Sequence, residues 1–265
     1  MSDSPRPNEP LTFSGGRVVQ RVFWRRAPVR HSVLRGGGWF MLQMLALWLG
    51  VVCLAALYGT VTGLAGWQLA RRWGRGVKSP VAGSSAVLAG SMSFAALLGP
   101  RWVGGVVLVG VVLALVLAGG SLAEAGLHIQ HWLFVGVFGA CVVLTASYEL
   151  GAAVILLWLM AMYDAGEYLV GAGARSPWFG VLAGMVGAAV VSVTVIELGI
   201  PPLNWETVWR FSGTAVVLLP VGSIAGSLLL PRAWSKAPAM RRVDSGLLLA
   251  PAWAWMIGLL VADIS

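Results

Sequence analysis

The chain has 265 residues, 58% of them hydrophobic and only 11% charged, with a mean hydropathy of +0.83. An ordinary soluble domain carries about a quarter charged residues, so this composition excludes a water-soluble fold and requires lipid as the solvent. The net charge of +8 is carried by clustered arginines beside apolar runs, a pattern that belongs to a membrane surface and argues against a nucleic-acid partner.

In chain order, residues 1–37 form a polar, proline-bearing and then arginine-rich segment, expected to be flexible and cytoplasmic. Arg17, Arg21, Arg25, Arg26, Arg30 and Arg35 precede the first apolar run. That run begins too late, and is too long, for a normal cleaved signal peptide. Residues 38–265 read as one transmembrane helical domain. Apolar segments are expected near 39–69, 83–99, 102–119, 132–147, 150–170, 178–199, 211–230 and 246–263. Strict alternation is absent, so helices rather than barrel strands must satisfy the backbone in lipid. The fold class is therefore all-α, a polytopic helical membrane protein with about eight apolar segments.

The first segment is too long for one crossing, and both of its flanks are basic. It is either a tight hairpin of short helices or a break in the positive-inside pattern. Residues 120–131 are polar enough to suggest a short amphipathic connector lying along the interface. Gly180, Gly184 and Gly187 offer a small-residue face for close helix packing or for a homodimer. Cys53 and Cys141 sit inside apolar runs without ligand spacing and read as packing residues. Tryptophans near the span ends, among them Trp39, Trp67, Trp73, Trp102, Trp132, Trp205 and Trp209, fit an interfacial aromatic belt.

Ionisable groups within spans are the informative exceptions, because each costs several kcal/mol in lipid unless it faces a cavity or a partner. Glu149, Asp164, Glu167 and Glu197 are four such acids. Asp164 and Glu167, three apart, share a helical face and can offer two oxygens to a hard cation; the plainer reading is a pair of acids at a helix end, exposed to head groups. After residue 230, Arg232, Lys236, Arg241 and Arg242 lead directly into Asp244 and Ser245. Arginine grips phosphate oxygens bidentately, and a neighbouring acid can hold a bridging metal, although an ordinary positive-inside loop has the same composition. His128 and His131 share a helical face but have no partner at ligand spacing, which favours interfacial hydrogen bonding over metal binding.

Three stretches resemble the phosphatidate cytidylyltransferases, membrane enzymes that make CDP-diacylglycerol from CTP and phosphatidic acid. Tyr163-Asp164-Ala165-Gly166-Glu167-Tyr168 is similar to that family's Asp-Thr-Gly-Ala-Tyr motif. Ser176-Pro177-Trp178-Phe179-Gly180-Val181-Leu182-Ala183-Gly184 resembles a shortened Ser-Pro-Lys-Lys-Thr-Trp-Glu-Gly segment. Arg242-Val243-Asp244-Ser245 resembles the end of the signature Asp-Arg-Ile-Asp-Ser, and upstream Gly66-Trp67-Gln68-Leu69-Ala70-Arg71 is similar to an aromatic-Glu-x-x-Arg element. The likeness runs from about residue 38 and is densest over 150–265.

The resemblance implies a nucleotidyltransferase of phospholipid biosynthesis in the inner or plasma membrane. Its partners would be CTP, a lipid phosphate and the surrounding lipids. Asp164 and Asp244 would be catalytic ligands of Mg²⁺, with Glu167 as a further candidate, and Arg232, Lys236, Arg242 and Ser245 would hold phosphate. The departures fall on the same chemistry: Gln68 and Phe179 stand where the family has glutamate, Ser223 and Gly226 replace acids, and Arg241 replaces the first signature aspartate. Two further readings therefore stand beside the enzyme. One is a catalytically degenerate relative that binds lipid or a partner protein. The other is a small transporter component, which requires Glu197 to share a cavity with Asp164 and Glu167.

Overall fold

A computed structural model describes residues 30–73, 79–171, 174, 176, 178–230 and 237–264. Among these there are nine α-helices: α1 (Arg30–Trp48), α2 (Val51–Trp73), α3 (Ser79–Ala95), α4 (Pro100–Leu117), α5 (Leu122–Tyr148), α6 (Leu150–Gly171), α7 (Trp178–Glu197), α8 (Val208–Leu228) and α9 (Gly246–Ile264). Seven helical segments, from α2 through α8, are long and apolar enough to cross a membrane, while Gly246–Ala262 of α9 is a shorter apolar helix. The protein is all-α and polytopic. Of the basic N-terminal segment 1–37, residues 1–29 lie outside the described region.

The long first apolar segment is a hairpin. Gly50 at φ 110° breaks the helix between α1 and α2, a conformation open to glycine at no steric penalty. Gln43 of α1 donates from Nε2 to the Tyr58 hydroxyl of α2 at 2.7 Å, and Trp39 meets the Tyr58 ring edge-on at 6.3 Å. Arg35 on one side and Arg71 and Arg72 on the other, the described arginines of the two flanks, therefore lie at one end of the bundle, as a hairpin requires. The expected connector at 120–131 is not a separate short helix: residues 122–131 are the first turns of the 27-residue α5. Ser121 caps that helix by accepting from the Glu124 N–H; residues 121–124 and Gly126 stay exposed, while His128 and His131 are buried and His128 meets Ser84 of α3.

Small residues set the seams. An added Cβ at Gly59, Gly63 or Gly66 of α2 would strike α3, with partners running from Gly90 back to Ser85, so the two helices are antiparallel and nearly in backbone contact. Gly180, Gly184 and Gly187 of α7 lie against Gly171, Tyr163 and Met162 of α6, so the face that offered a dimer seam is used inside the chain. Hydroxyls in the spans turn back on their own helices, as Thr62 does to the Tyr58 carbonyl at 2.7 Å and Ser192 to the Ala188 carbonyl at 3.0 Å.

The antiparallel pairs sort the helix ends. The start of α1, the end of α2, the starts of α3, α5 and α7 and the ends of α6 and α8 share one end, here called the basic end. It carries Arg35, Arg71, Arg72, Arg241 and Arg242 among the described residues. The opposite end has Arg101 and Arg210 but also Glu149, Glu197 and Glu206.

Candidate functional site

The site forms where α8 hands over to α9. From Ala237 the described chain lies in the bundle with a 3₁₀ turn (Met240–Arg242), and α9 starts with Gly246 packed against Met160 of α6 and Phe138 of α5. Met160 is eleven residues inside the end of α6, which at helical rise places this start about 16 Å from that helix's end. Non-helical backbone at such depth is tolerated only inside protein.

Gly222 and Gly226 of α8 make the turn fit. A Cβ on Gly222 would collide with the Ser245 carbonyl, and one on Gly226 with the side chain of Asp244. Asp244 is buried there, its side chain 3% exposed. Its Oδ2 accepts from Arg241 Nη1 at 3.2 Å and its Oδ1 from the Ser245 N–H at 3.0 Å. The same Arg241 nitrogen donates to Ser227 Oγ at 3.0 Å. Two buried hydroxyls flank this contact, Ser223 and Ser245, and neither Oγ has a hydrogen-bond partner among the described residues.

Arg242 extends the cluster toward α6 and α1. Burial lowers its pKa, Asp164 and Asp244 oppose that shift, and the nearby positive charge of Arg35 adds to it. Asp164, on α6, and Asp244, in the turn before α9, thus both contribute to the electrostatic surroundings of one guanidinium. Asp164 is half-buried, whereas Glu167, one turn on, is buried at 4% exposure rather than open to head groups.

The loop between α8 and α9 is held at both ends by α2. Trp73 donates from Nε1 to the Leu229 carbonyl at 2.7 Å, and Gln68 Oε1 accepts from the Ala239 N–H at 3.1 Å. The glutamine that replaces an expected acid thus acts as a neutral acceptor for backbone. Arg71 lies over the Trp67 ring at 4.8 Å from its centroid.

Of the residues singled out in the sequence, the fold brings together Asp164, Arg242, Asp244 and Ser245. Arg241, one of the basic residues noted before Asp244, and Arg35 of the N-terminal arginines join them, and the fold adds Ser227. Arg232 and Lys236 lie outside the described residues. Glu197 is exposed at the far end of α7, about 21 Å along the helix from Ala183, which packs on Gly166 beside the other acids. These three acids therefore line no common path.

Mg²⁺, implied by the resemblance, finds a poor donor set. Among the described residues, no three His, Cys, Asp or Glu side chains gather as a metal site. A cation on Asp244 would have to displace the Arg241 guanidinium, since two positive charges cannot share one buried carboxylate at low dielectric without strong repulsion.

A second buried polar cluster lies on α5. His128 and His131 are 3% and 1% exposed; His128 Nε2 pairs with Ser84 Oγ at 3.0 Å, while both ring nitrogens of His131 and the Trp132 Nε1 have no hydrogen-bond partner among the described residues. The pair is interior, because α5 begins ten residues earlier than the apolar run from Trp132 suggests. No family model matches the chain, and no characterised protein matches its sequence.

Proposed function

We propose that this membrane protein binds the phosphate head group of an anionic lipid at its basic end, as a catalytically degenerate relative of the phosphatidate cytidylyltransferases. The observation that carries this reading is the Arg241–Asp244 ion pair at 3.2 Å beside Arg242. Where a nucleotidyltransferase needs free carboxylates to gather cations, this site has a carboxylate already engaged by a guanidinium and a second arginine next to it. Two arginines, two buried serine hydroxyls and a nearby Arg35 suit recognition of a phosphate more than activation of one. The positive-inside tendency supports a cytoplasmic orientation for the basic end, where α1 begins, in an inner or plasma membrane.

One observation favours the second reading, CTP-dependent transfer to phosphatidate. Asp164 and Asp244, the two acids that the resemblance assigns to catalysis, act on the same Arg242. In that reaction the lipid phosphate oxygen would attack the α-phosphorus of CTP and pyrophosphate would leave, with this chain positioning both reactants.

The two readings separate in one assay: release of pyrophosphate from CTP by the purified protein with phosphatidic acid and divalent ions, wild type against Asp244→Asn. The binding reading expects no release from folded wild type together with retention of phosphatidate. Release from wild type that is lost in Asp244→Asn would replace it with the transferase.

A further inference from the structure

We propose that the outward side of α2 at the basic end, formed by Leu64, Trp67 and Arg71, is a site for the head group of an anionic phospholipid from the surrounding bilayer. It lies apart from the α8–α9 junction and does not rest on the reading given for that junction.

Two faces of the same helical turns set the site. Gly63, Gly66, Leu69 and Ala70 are buried, and Gly63 and Gly66 lie against the Ala86 and Ser85 carbonyls of α3. Leu64, Trp67 and Arg71, spaced three and four apart, share the opposite side, where Leu64 is 48% and Trp67 38% exposed and Arg71 is exposed as well. On a helix that crosses the bilayer this side meets lipid, and an arginine in its last turn meets the head groups.

Arg71 is held but not neutralised. Its guanidinium carbon lies 4.8 Å from the centroid of the Trp67 ring, one turn deeper in the helix. Among the described residues, no hydrogen bond or ion pair engages Arg71 or the Trp67 indole N–H, whereas Trp73 gives its N–H to the Leu229 carbonyl. A ring contact occupies only the flat face of a guanidinium and leaves its in-plane N–H donors directed outward. A cation at the edge of the hydrocarbon is costly without a counter-charge, and on a lipid-facing surface the phosphates supply it.

The three residues match one lipid along its length. Leu64 packs on the acyl chain, the Trp67 ring and N–H sit at the polar boundary, and Arg71 reaches the phosphate. Leu64 and Arg71 are seven residues apart, about 10 Å along the axis, enough to bridge the interfacial layer from hydrocarbon to head group. An anionic lipid is favoured over a zwitterionic one, because Arg72 adds positive charge beside Arg71 and α2 carries no acid.

Native mass spectrometry of the full-length protein in detergent, titrated with phosphatidylglycerol or phosphatidylcholine, counts the lipids bound. An Arg242→Gln background keeps the α8–α9 junction out of the count. In that background Arg71→Gln should weaken the first phosphatidylglycerol step about fivefold or more, and Trp67→Leu about threefold, with phosphatidylcholine unaffected. Arg71→Lys, which keeps the charge but loses the planar edge, should fall between Arg71→Gln and the unsubstituted background. Arg101→Gln, which removes an exposed arginine at the opposite end, should change nothing. Unaltered phosphatidylglycerol binding in Arg71→Gln would overturn the site. So would an equal loss in Arg101→Gln, which assigns the effect to net charge, or an equal loss of phosphatidylcholine, which removes the head-group preference.

Discussion

At the start of α9, Asp244 is buried with a guanidinium on one oxygen and a backbone N–H on the other, whereas in α5 the equally buried His131 has neither ring nitrogen paired among the described residues. The difference follows the chemistry of each group. A carboxylate that stays ionised inside a lipid-embedded bundle has no tolerable state without a partner, because the desolvation of charge exceeds what packing returns. A neutral imidazole loses only a hydrogen bond and can borrow one from a trapped water. Buried charge in this protein is therefore built as a site, and buried neutral polarity is left as local packing.

Substitutions can break or sharpen that contrast. The largest effect should come from Arg241→Ala, which leaves Asp244 buried without its guanidinium. The loss should be about 2–4 kcal/mol, somewhat under the usual range for a fully buried pair because Arg241 is partly exposed. The double variant Arg241→Met with Asp244→Leu should recover most of it, as read by unfolding in detergent. If the double variant is no better than the single, Asp244 does not carry its charge as an isolated liability.

Next in size is Gly226→Ala. Its new methyl group meets the Asp244 side chain and has to push the turn outward, lowering stability by about 1–3 kcal/mol. Gly213→Ala on the same helix, with nothing within 4 Å of an added Cβ, should be neutral and serves as the control. Equal effects at the two glycines would show that helix propensity, and not the Asp244 contact, governs α8.

The smallest effect should be at His131→Leu. Removing two unpaired ring nitrogens of similar bulk should change stability by no more than about 0.5 kcal/mol in either direction. A loss of several kcal/mol in thermal unfolding would mean that His131 is satisfied by ordered water, and would place the α5 cluster in the same class as the α9 junction.

Much of this architecture is legible in residue order. Runs such as Trp102 to Gly119 are helices because lipid accepts no other backbone state, and the arginine clusters predict which helix ends lie together. The site was legible only in part. Asp164, Arg242, Asp244 and Ser245 stand out as polar residues at the margins of spans. Ser227 does not, since a serine in an apolar run has an adequate partner in its own helix, and Gln68 and Trp73 lie about 170 and 156 positions from the backbone groups they hold. Arg241 was visible as a basic residue three positions before Asp244 and as a departure from a motif, and was read toward phosphate rather than toward the acid it pairs with.

The sequence by itself determined the solvent, the class of fold and the polarity of the two ends, because these depend on summed hydrophobicity and on charge counted near helix termini. Tertiary structure alone decided three things: that the first apolar segment folds back at Gly50, that the polar turns before Trp132 are drawn into the bundle, and that Arg241 closes on Asp244. The α5 turns depend on a distant helix, through His128 and Ser84, whereas Arg241 and Asp244 are only three residues apart and owe their fit to α8, where the missing side chain at Gly226 makes room for Asp244 and Ser227 accepts from Arg241.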